Sequence, residues 1–111
     1  MELTQHGSER IQGRTRMVAK DVLSLISHGA VVELGGENNF EYLLFYSPFD
    51  ECAKIAVVTK DRTHLVSIWE KYFYLPPGIL KVNRKRERAA KEALKAFLLR
   101  RSLSNSDRVA S

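Results

Sequence analysis

The feature that most constrains the fold is a change of hydrophobic period after residue 29. From there to residue 71, short runs of β-branched and aromatic residues alternate with turn-forming segments and follow no helical repeat. The runs are residues 30–34, 40–46, 54–59 and 64–71. The segments between them are polar and contain Gly, Pro, Asn or Asp. Connections this short favour hairpins, so the sequence predicts a four-stranded antiparallel meander.

Helical periodicity appears on both sides of the predicted meander. Residues 6–12 suit a short polar helix, and residues 18–27 carry an apolar stripe that Gly29 ends at the C′ position. That stripe consists of Val18, Val22, Leu23 and Ile26. Asn83 suits the N-cap of a third helix over residues 84–101. Its apolar stripe consists of Ala90, Ala93, Leu94, Phe97 and Leu98.

These elements predict an α+β fold in which two N-terminal helices pack on a four-stranded antiparallel sheet, with a basic C-terminal helix. A chain of 111 residues, 44% of them hydrophobic, suffices for one core. We therefore expect one domain over residues 1–80. The basic helix over residues 81–101 is expected to pack on this domain or to be appended to it. The Ser-rich segment 102–111 lacks periodicity and is expected to form a disordered tail.

The net charge of +5 is concentrated at the C-terminal end of the chain. Residues 1–80 contain 8 Lys and Arg against 10 Asp and Glu, a balance of −2, and residues 81–111 contain 10 against 3, a balance of +7. Such a patch attracts polyanions, so RNA, DNA, an acidic protein and an anionic membrane surface are all candidate partners. The candidate nucleic-acid-binding residues are Arg84, Lys85, Arg88, Lys91 and Lys95. The alternative is that these charges form only a solvated helix face.

A second candidate site lies in the first predicted helix. His6, Arg10 and Arg14 are spaced at i, i+4 and i+8, which puts them within an arc of roughly 80° on one helical face. Histidine can exchange a proton near neutral pH, and arginine presents a fork of N–H donors to phosphate. These are the residue types that RNA cleavage without a metal needs. The alternative is a solvated turn in which Arg10 forms an ion pair with a nearby carboxylate.

The same run resembles the start of a known family. Residues 3–14, LTQHGSERIQGR, are similar to the L-T-x-H-x-x-x-R-x-x-x-R opening of a bacterial and phage family called domain of unknown function 4258. Asp21-Val22-Leu23 in the next helix and the later runs 42–47 and 55–68 are also similar. The resemblance covers roughly residues 3–69, in order and in element type.

This family is grouped with toxin nucleases of the barnase, EndoU, colicin and RelE type, so the resemblance implies metal-independent RNA cleavage. It implies His6 as general acid or base, with Arg10 and Arg14 on the phosphate. Ser67 stands where the family often has threonine on its last strand, and Thr15 follows Arg14 where the family usually has glycine. A toxin of this type implies an acidic, antitoxin-like protein partner. The alternative is a non-catalytic module that binds nucleic acid or protein through the basic helix.

Other classes of function find little support in the sequence. Cys52 is the single cysteine and has no zinc-type ligand spacing around it, and Gly35-Gly36 lacks the Lys and Ser or Thr of a phosphate-binding loop. We therefore expect no metal and no cofactor. No apolar run approaches the roughly 20 residues that span a bilayer, and no export signal is visible. With no disulfide partner for Cys52, these features predict a cytoplasmic location.

Overall fold

The computed structural model describes residues 1–70 and 75–110, except for the side chains of residues 102–110. It has the predicted α+β architecture, with three helices and one sheet. The elements in chain order are β1 (Glu2–Leu3), α1 (Gln5–Arg14), α2 (Ala19–Ser27), β2 (Val32–Glu37), β3 (Phe40–Ser47), β4 (Cys52–Thr59), β5 (His64–Glu70) and α3 (Arg84–Ala110).

The sheet has five strands in the order β1-β5-β4-β3-β2, so the prediction of four strands was wrong. The meander β2 to β5 is antiparallel as predicted. The additional strand, β1, pairs parallel with β5, with Glu2 opposite His64 and Leu3 opposite Leu65. Two residues are too few to show an alternating pattern. Only the fold, which brings the N-terminus to the outer edge of β5, makes β1 a strand and the sheet mixed.

Strand β2 continues through the glycine-rich segment that the sequence predicted as a loop. The register shifts between Glu33 and Gly35, and Gly35 has a φ of +113°, which favours glycine. Pairing then resumes with Gly36 opposite Glu41. The chain reverses at Asn38, whose φ of +52° is one that asparagine tolerates. The bulge therefore extends the hairpin beyond the predicted strand end.

The helix ends follow from local chemistry. The Thr4 side chain accepts a hydrogen bond from the Gly7 amide at the start of α1, and Asn83 Oδ1 accepts one of 2.9 Å from the Arg86 amide at the start of α3. Helix α2 is followed by Gly29 at a φ of +72°. Helix α3 is assigned through Ala110, beyond the predicted end at residue 101. The disordered tail expected over residues 102–111 stays a prediction, because the side chains of residues 102–110 and the whole of Ser111 lie outside the described residues. Residue 71, the last of the fourth predicted strand, also lies outside them.

Two hydrophobic clusters lie on opposite faces of the sheet, because neighbouring residues of β3 and β4 point alternately to each face. The first cluster includes Leu43, Phe45, Ala56 and Val58 with Ile11, Val22, Leu25 and Ile26 of the two N-terminal helices. The second includes Leu34, Tyr42, Leu44, Ile55 and Val57 with Ile79. Helix α3 contributes Leu94 and Phe97 to the first cluster and Ala90 to the second.

In the part of the chain that the structure describes, no helix combines the length and the apolar character needed to cross a bilayer.

Candidate nucleic-acid interface

Helix α1 lies against the outer edge of β5, and this contact fixes where its polar side chains point. The amide and the hydroxyl of Thr4 both donate to the Leu65 carbonyl, at 3.2 and 3.3 Å. Gly7 sits directly over the same carbonyl oxygen, which a Cβ at this position would overlap. The helix therefore covers part of a strand edge that β1 pairs with only at its first two positions.

The structure brings His6 and Arg10 together on this helix. Arg10 Nε donates a hydrogen bond of 3.2 Å to Nε2 of His6, and the His6 side chain is exposed. A ring nitrogen that accepts this bond carries no proton, so the contact belongs to a neutral imidazole. The pair thus presents an accessible imidazole directly beside a guanidinium.

Arg14 extends the same helical face but binds the protein itself. Its Nη1 donates a hydrogen bond of 2.9 Å to the carbonyl oxygen of Ile68, on the outer edge of β5. This interaction satisfies a strand-edge acceptor that β1 is too short to reach. At least one N–H group of Arg14 is therefore used in holding α1 to the sheet.

Ser67 lies apart from these three residues. It is buried and stands directly opposite Val57, a member of the second cluster, whereas Ile11 of α1 belongs to the first cluster on the other face. Because side chains alternate along a strand, the Ser67 hydroxyl points away from the face against which α1 packs. The four predicted catalytic residues therefore do not converge: the structure joins His6 to Arg10, places Arg14 on the strand edge and turns Ser67 to the opposite face.

The basic residues of α3 form a solvent-facing row. Arg84, Arg88, Lys91 and Lys95 are all exposed and follow each other at steps of four, three and four residues, a rise of roughly 16 Å along the helix. Lys85 is exposed beside this row. The buried residues Ala90, Leu94 and Phe97 lie on the other side, so packing on the sheet turns the cations toward water. Of the predicted apolar stripe, Leu98 is 47% exposed.

Few of these cations form an ion pair with a carboxylate whose side chain the structure describes. Among the side chains that the structure describes, Lys95 is the only one of the five candidate cations in an ion pair, with Glu92 at 3.5 Å. Lys91 Nζ lies 5.4 Å from the centroid of the Tyr46 ring, in cation–π geometry. We refer to Arg84, Arg88, Lys91 and Lys95 as the α3 basic row.

A carboxylate network that the sequence analysis missed joins the α1–α2 connection to the β3–β4 turn. Asp50 accepts hydrogen bonds from the hydroxyls of Thr15 and Ser47, at 2.5 and 2.6 Å, and from the Arg16 amide at 3.1 Å. Burial acts to raise the pKa of Asp50, but these hydrogen bonds outweigh it and hold the pKa below its ordinary value. Residues 47–50 lie in one of the turn segments that the sequence indicated. Thr15, which donates to Asp50, is 35 residues away along the chain, so no sequence pattern indicated this contact.

A second polar cluster surrounds the turn between β4 and β5. Hydrogen bonds from Thr59 and Thr63 lower the pKa of Asp61 to about 2. Arg62, held at a φ of +58°, forms ion pairs with Glu33 and Glu41. Glu33 and Glu41 come from β2 and β3, so this cluster ties the turn to neighbouring strands and has a structural role.

His64 begins β5 beside the same turn. Its Nδ1 lies 2.8 Å from the Thr63 hydroxyl, and its Nε2 lies 3.4 Å from a Glu2 carboxylate oxygen. His64 therefore helps to hold β1 against β5. In the described part of the chain, no three His, Cys, Asp or Glu side chains are grouped closely enough to hold a metal ion.

Comparison with known proteins places the chain in no family. No known protein family, no curated protein and no solved structure matches it. The resemblance noted in the sequence analysis stays a prediction.

Proposed function

We propose that this protein binds the phosphate backbone of a nucleic acid, RNA in the first instance, through the α3 basic row. The observation that carries this proposal is the alignment of four exposed cations on one helix face, only one of which is in an ion pair with a described carboxylate. Cations in such a row neutralise phosphates and release condensed counterions.

The spacing of the α3 basic row favours contact with the backbone over contact with bases. Successive members are separated by roughly 4.5 to 6 Å along the helix axis. That spacing lets several members contact phosphates along one strand at once. Backbone contacts carry no sequence information directly, so the proposed binding is insensitive to sequence and sensitive to salt.

Charge reversal at one member of the row tests the proposal. Affinity for a labelled RNA of mixed sequence would be measured by fluorescence anisotropy over a series of salt concentrations. The slope of log affinity against log salt is negative, and we expect Arg88→Glu to reduce its magnitude by about one. The double variant Arg88→Glu/Lys95→Glu should reduce the magnitude by about two.

Lys60→Glu is the matched control, because it changes the net charge equally at an exposed position on the β4–β5 turn. Its salt slope should stay near that of the wild type. If Arg88→Glu and Lys60→Glu reduced the magnitude of the salt slope equally, net charge alone would attract RNA. That result would contradict a defined binding site. A parallel titration with duplex DNA distinguishes RNA preference from general phosphate binding.

A second candidate function is RNA cleavage, favoured by the 3.2 Å contact between His6 and Arg10. The exposed imidazole can act as a general base when the Arg10 guanidinium turns from the Nε2 lone pair of His6 to a phosphate or a developing negative charge. In this hypothesis, the α3 basic row holds the RNA. The family resemblance also implies roles for Arg14 and Ser67, but Arg14 bonds the Ile68 carbonyl and Ser67 is buried on the opposite face of the sheet, so the hypothesis rests on His6 and Arg10. The protein would then act as a toxin-like cytoplasmic ribonuclease with an acidic neutralising partner.

The cleavage hypothesis is tested by incubating purified protein with total RNA in EDTA and separating the products on a denaturing gel. We expect wild type to cut and His6→Ala, purified identically, to leave the RNA intact while keeping its affinity. His28→Gln is the control, since His28 bonds the Ser24 carbonyl at the end of α2 and its ring contacts Phe97 of α3. Cleavage by all three proteins would exclude His6 as the catalytic group.

A further inference from the structure

Tyr46 connects the sheet to the α3 basic row. It lies near the end of β3, past Leu44, which is the last β3 residue that pairs with β2. Its side chain is half-buried and packs against both hydrophobic clusters. Helix α3 packs mainly on β3. The core therefore limits where the Tyr46 ring can move and holds it beside α3.

Lys91 of the α3 basic row stands over this ring. Its Nζ lies 5.4 Å from the ring centroid, within the roughly 6 Å over which a cation and an aromatic face attract each other. The preceding residue, Ala90, is fully buried in the second cluster, so the helix backbone is also fixed at this point. An aromatic ring attracts an ammonium without adding a negative charge. Lys91 therefore keeps its full positive charge and its N–H donors for a phosphate.

Lys95, the next member of the row, is held in a different way. Its Nζ lies 3.5 Å from a carboxylate oxygen of Glu92, and both side chains are well exposed. The carboxylate offsets the charge that a phosphate would meet, and the ion pair must open before Lys95 can bind fully to a phosphate. Lys91 bears neither cost. We therefore expect Lys91→Ala to weaken RNA binding more than Lys95→Ala does.

We propose that Tyr46 is a positioning residue for RNA binding, whose ring holds the Lys91 ammonium in place to contact a phosphate. This role rests on the proposed function and assigns part of it to a residue outside the basic helix. A lysine side chain loses rotamer freedom when it binds a ligand. A contact that already restricts the side chain in the free protein reduces that loss.

A tyrosine beside a row of cations could instead stack on an unpaired base. Here the Lys91 ammonium stands over the ring, where a stacked base would lie, and the Tyr46 side chain also packs on the clusters. The structure therefore favours a role that acts through Lys91. The two roles predict different results, because a stacked base needs the ring whether or not Lys91 is present.

A double-mutant cycle distinguishes the two roles. Affinity for a labelled RNA of mixed sequence would be measured by fluorescence anisotropy for wild type, Tyr46→Leu, Lys91→Ala and the double variant. We expect Tyr46→Leu to weaken binding about two- to fivefold, the factor that corresponds to an exposed cation–π pair. It should have no effect when residue 91 is already Ala. Tyr46→Phe keeps the ring and should bind RNA like the wild type.

The matched control is the same cycle with Lys95→Ala in place of Lys91→Ala. Lys95 belongs to the same row but is paired with Glu92, so the effects of Tyr46→Leu and Lys95→Ala should multiply independently. Circular dichroism checks the folding of each variant. Because Tyr46 is half-buried, Tyr46→Met is prepared alongside and replaces Tyr46→Leu if the latter does not fold.

A measurement without RNA separates the contact from the binding. In the free protein with ¹³C-labelled lysine, the Tyr46 ring should shift the ε-methylene protons of Lys91 upfield. We expect this shift in wild type and in Tyr46→Phe, and its loss in Tyr46→Leu.

Three results would overturn the role of Tyr46. The first is a wild-type protein without the upfield shift. The second is an equal loss of affinity from Tyr46→Leu with and without Lys91, which would assign the ring to base stacking. The third is an unchanged affinity in Tyr46→Leu while the shift is lost. A wild-type protein that shows the shift but binds no RNA would instead overturn the proposed function, and the role of Tyr46 with it.

Discussion

At the scale of single residues, the Asp50 carboxylate accepts hydrogen bonds from three different residues. Its oxygens bind the Thr15 and Ser47 hydroxyls and the Arg16 amide, and so join the α1–α2 connection to the β3–β4 turn. Thr15 and Ser47 are both buried, and Asp50 accepts the hydrogen bond that each of their hydroxyls donates. Charge-assisted bonds of this kind contribute more to stability than neutral ones.

Asp50→Ala should lower the free energy of unfolding by about 1 to 3 kcal/mol at pH 7, because it leaves buried hydroxyls without their acceptor. Because the folded-state pKa of Asp50 is depressed, its contribution is present above the ordinary pKa near 3.8 and is lost as the pH falls through the lower folded-state value. Urea denaturation at several pH values should therefore show the difference from wild type shrinking in acid. Glu51→Gln, an exposed neighbour, is the control, and an equal pH effect there would contradict the assignment.

At the scale of elements, the docking of α1 on β5 depends on Gly7. The helix approaches so closely that a Cβ at residue 7 would overlap the Leu65 carbonyl oxygen. Gly13, in the same helix, has nothing within 4 Å of a Cβ built at its position. Comparing substitutions at the two glycines therefore separates the effect of close packing on β5 from the effect of helix propensity.

Gly7→Ala should destabilise the protein by about 1 to 3 kcal/mol, because the helix must move away from the sheet. Gly13→Ala should stabilise it by about 0.5 to 1 kcal/mol through helix propensity alone. Thermal denaturation followed by circular dichroism compares the two substitutions directly. Stabilisation by both would show that α1 is not held against β5 in solution.

At the scale of the whole molecule, one sheet carries a hydrophobic cluster on each face, and α3 contributes to both. Phe45 and Leu44 are adjacent on β3, fully buried, and belong to opposite clusters. Because they share one strand, neither cluster can be lost without disturbing the other. The chain is expected to unfold as one cooperative unit.

Phe45→Ala should cost about 3 to 5 kcal/mol and Leu44→Ala about 2 to 5 kcal/mol of stability. In both variants, the fluorescence of Trp69, whose ring is 5.1 Å from that of Tyr42 on the second face, should change together with the circular dichroism. Separate transitions for the two signals in Phe45→Ala would show that the clusters unfold independently.

The sequence by itself determined the local features of this protein. Alternation predicted strands over residues 40–46 and 64–71, and the structure has them at Phe40–Ser47 and His64–Glu70. A 3.6-residue repeat predicted a helix over residues 18–27, which the structure has at Ala19–Ser27, and Asn83 marked the start of α3. The cations of α3 could also be placed on the face opposite Ala90 and Leu94, because helical geometry needs no distant partner.

Only the tertiary structure decided the features that join distant residues. Strand β1 exists because β5 supplies its hydrogen-bond partners, and the glycine bulge keeps β2 in the sheet because β3 pairs with it again. The alternation of side chains places Ser67 on the face away from α1, and Arg14 binds a carbonyl 54 residues away. Spacing along one helix predicts which residues share a face, but the surface that this face meets depends on long-range packing.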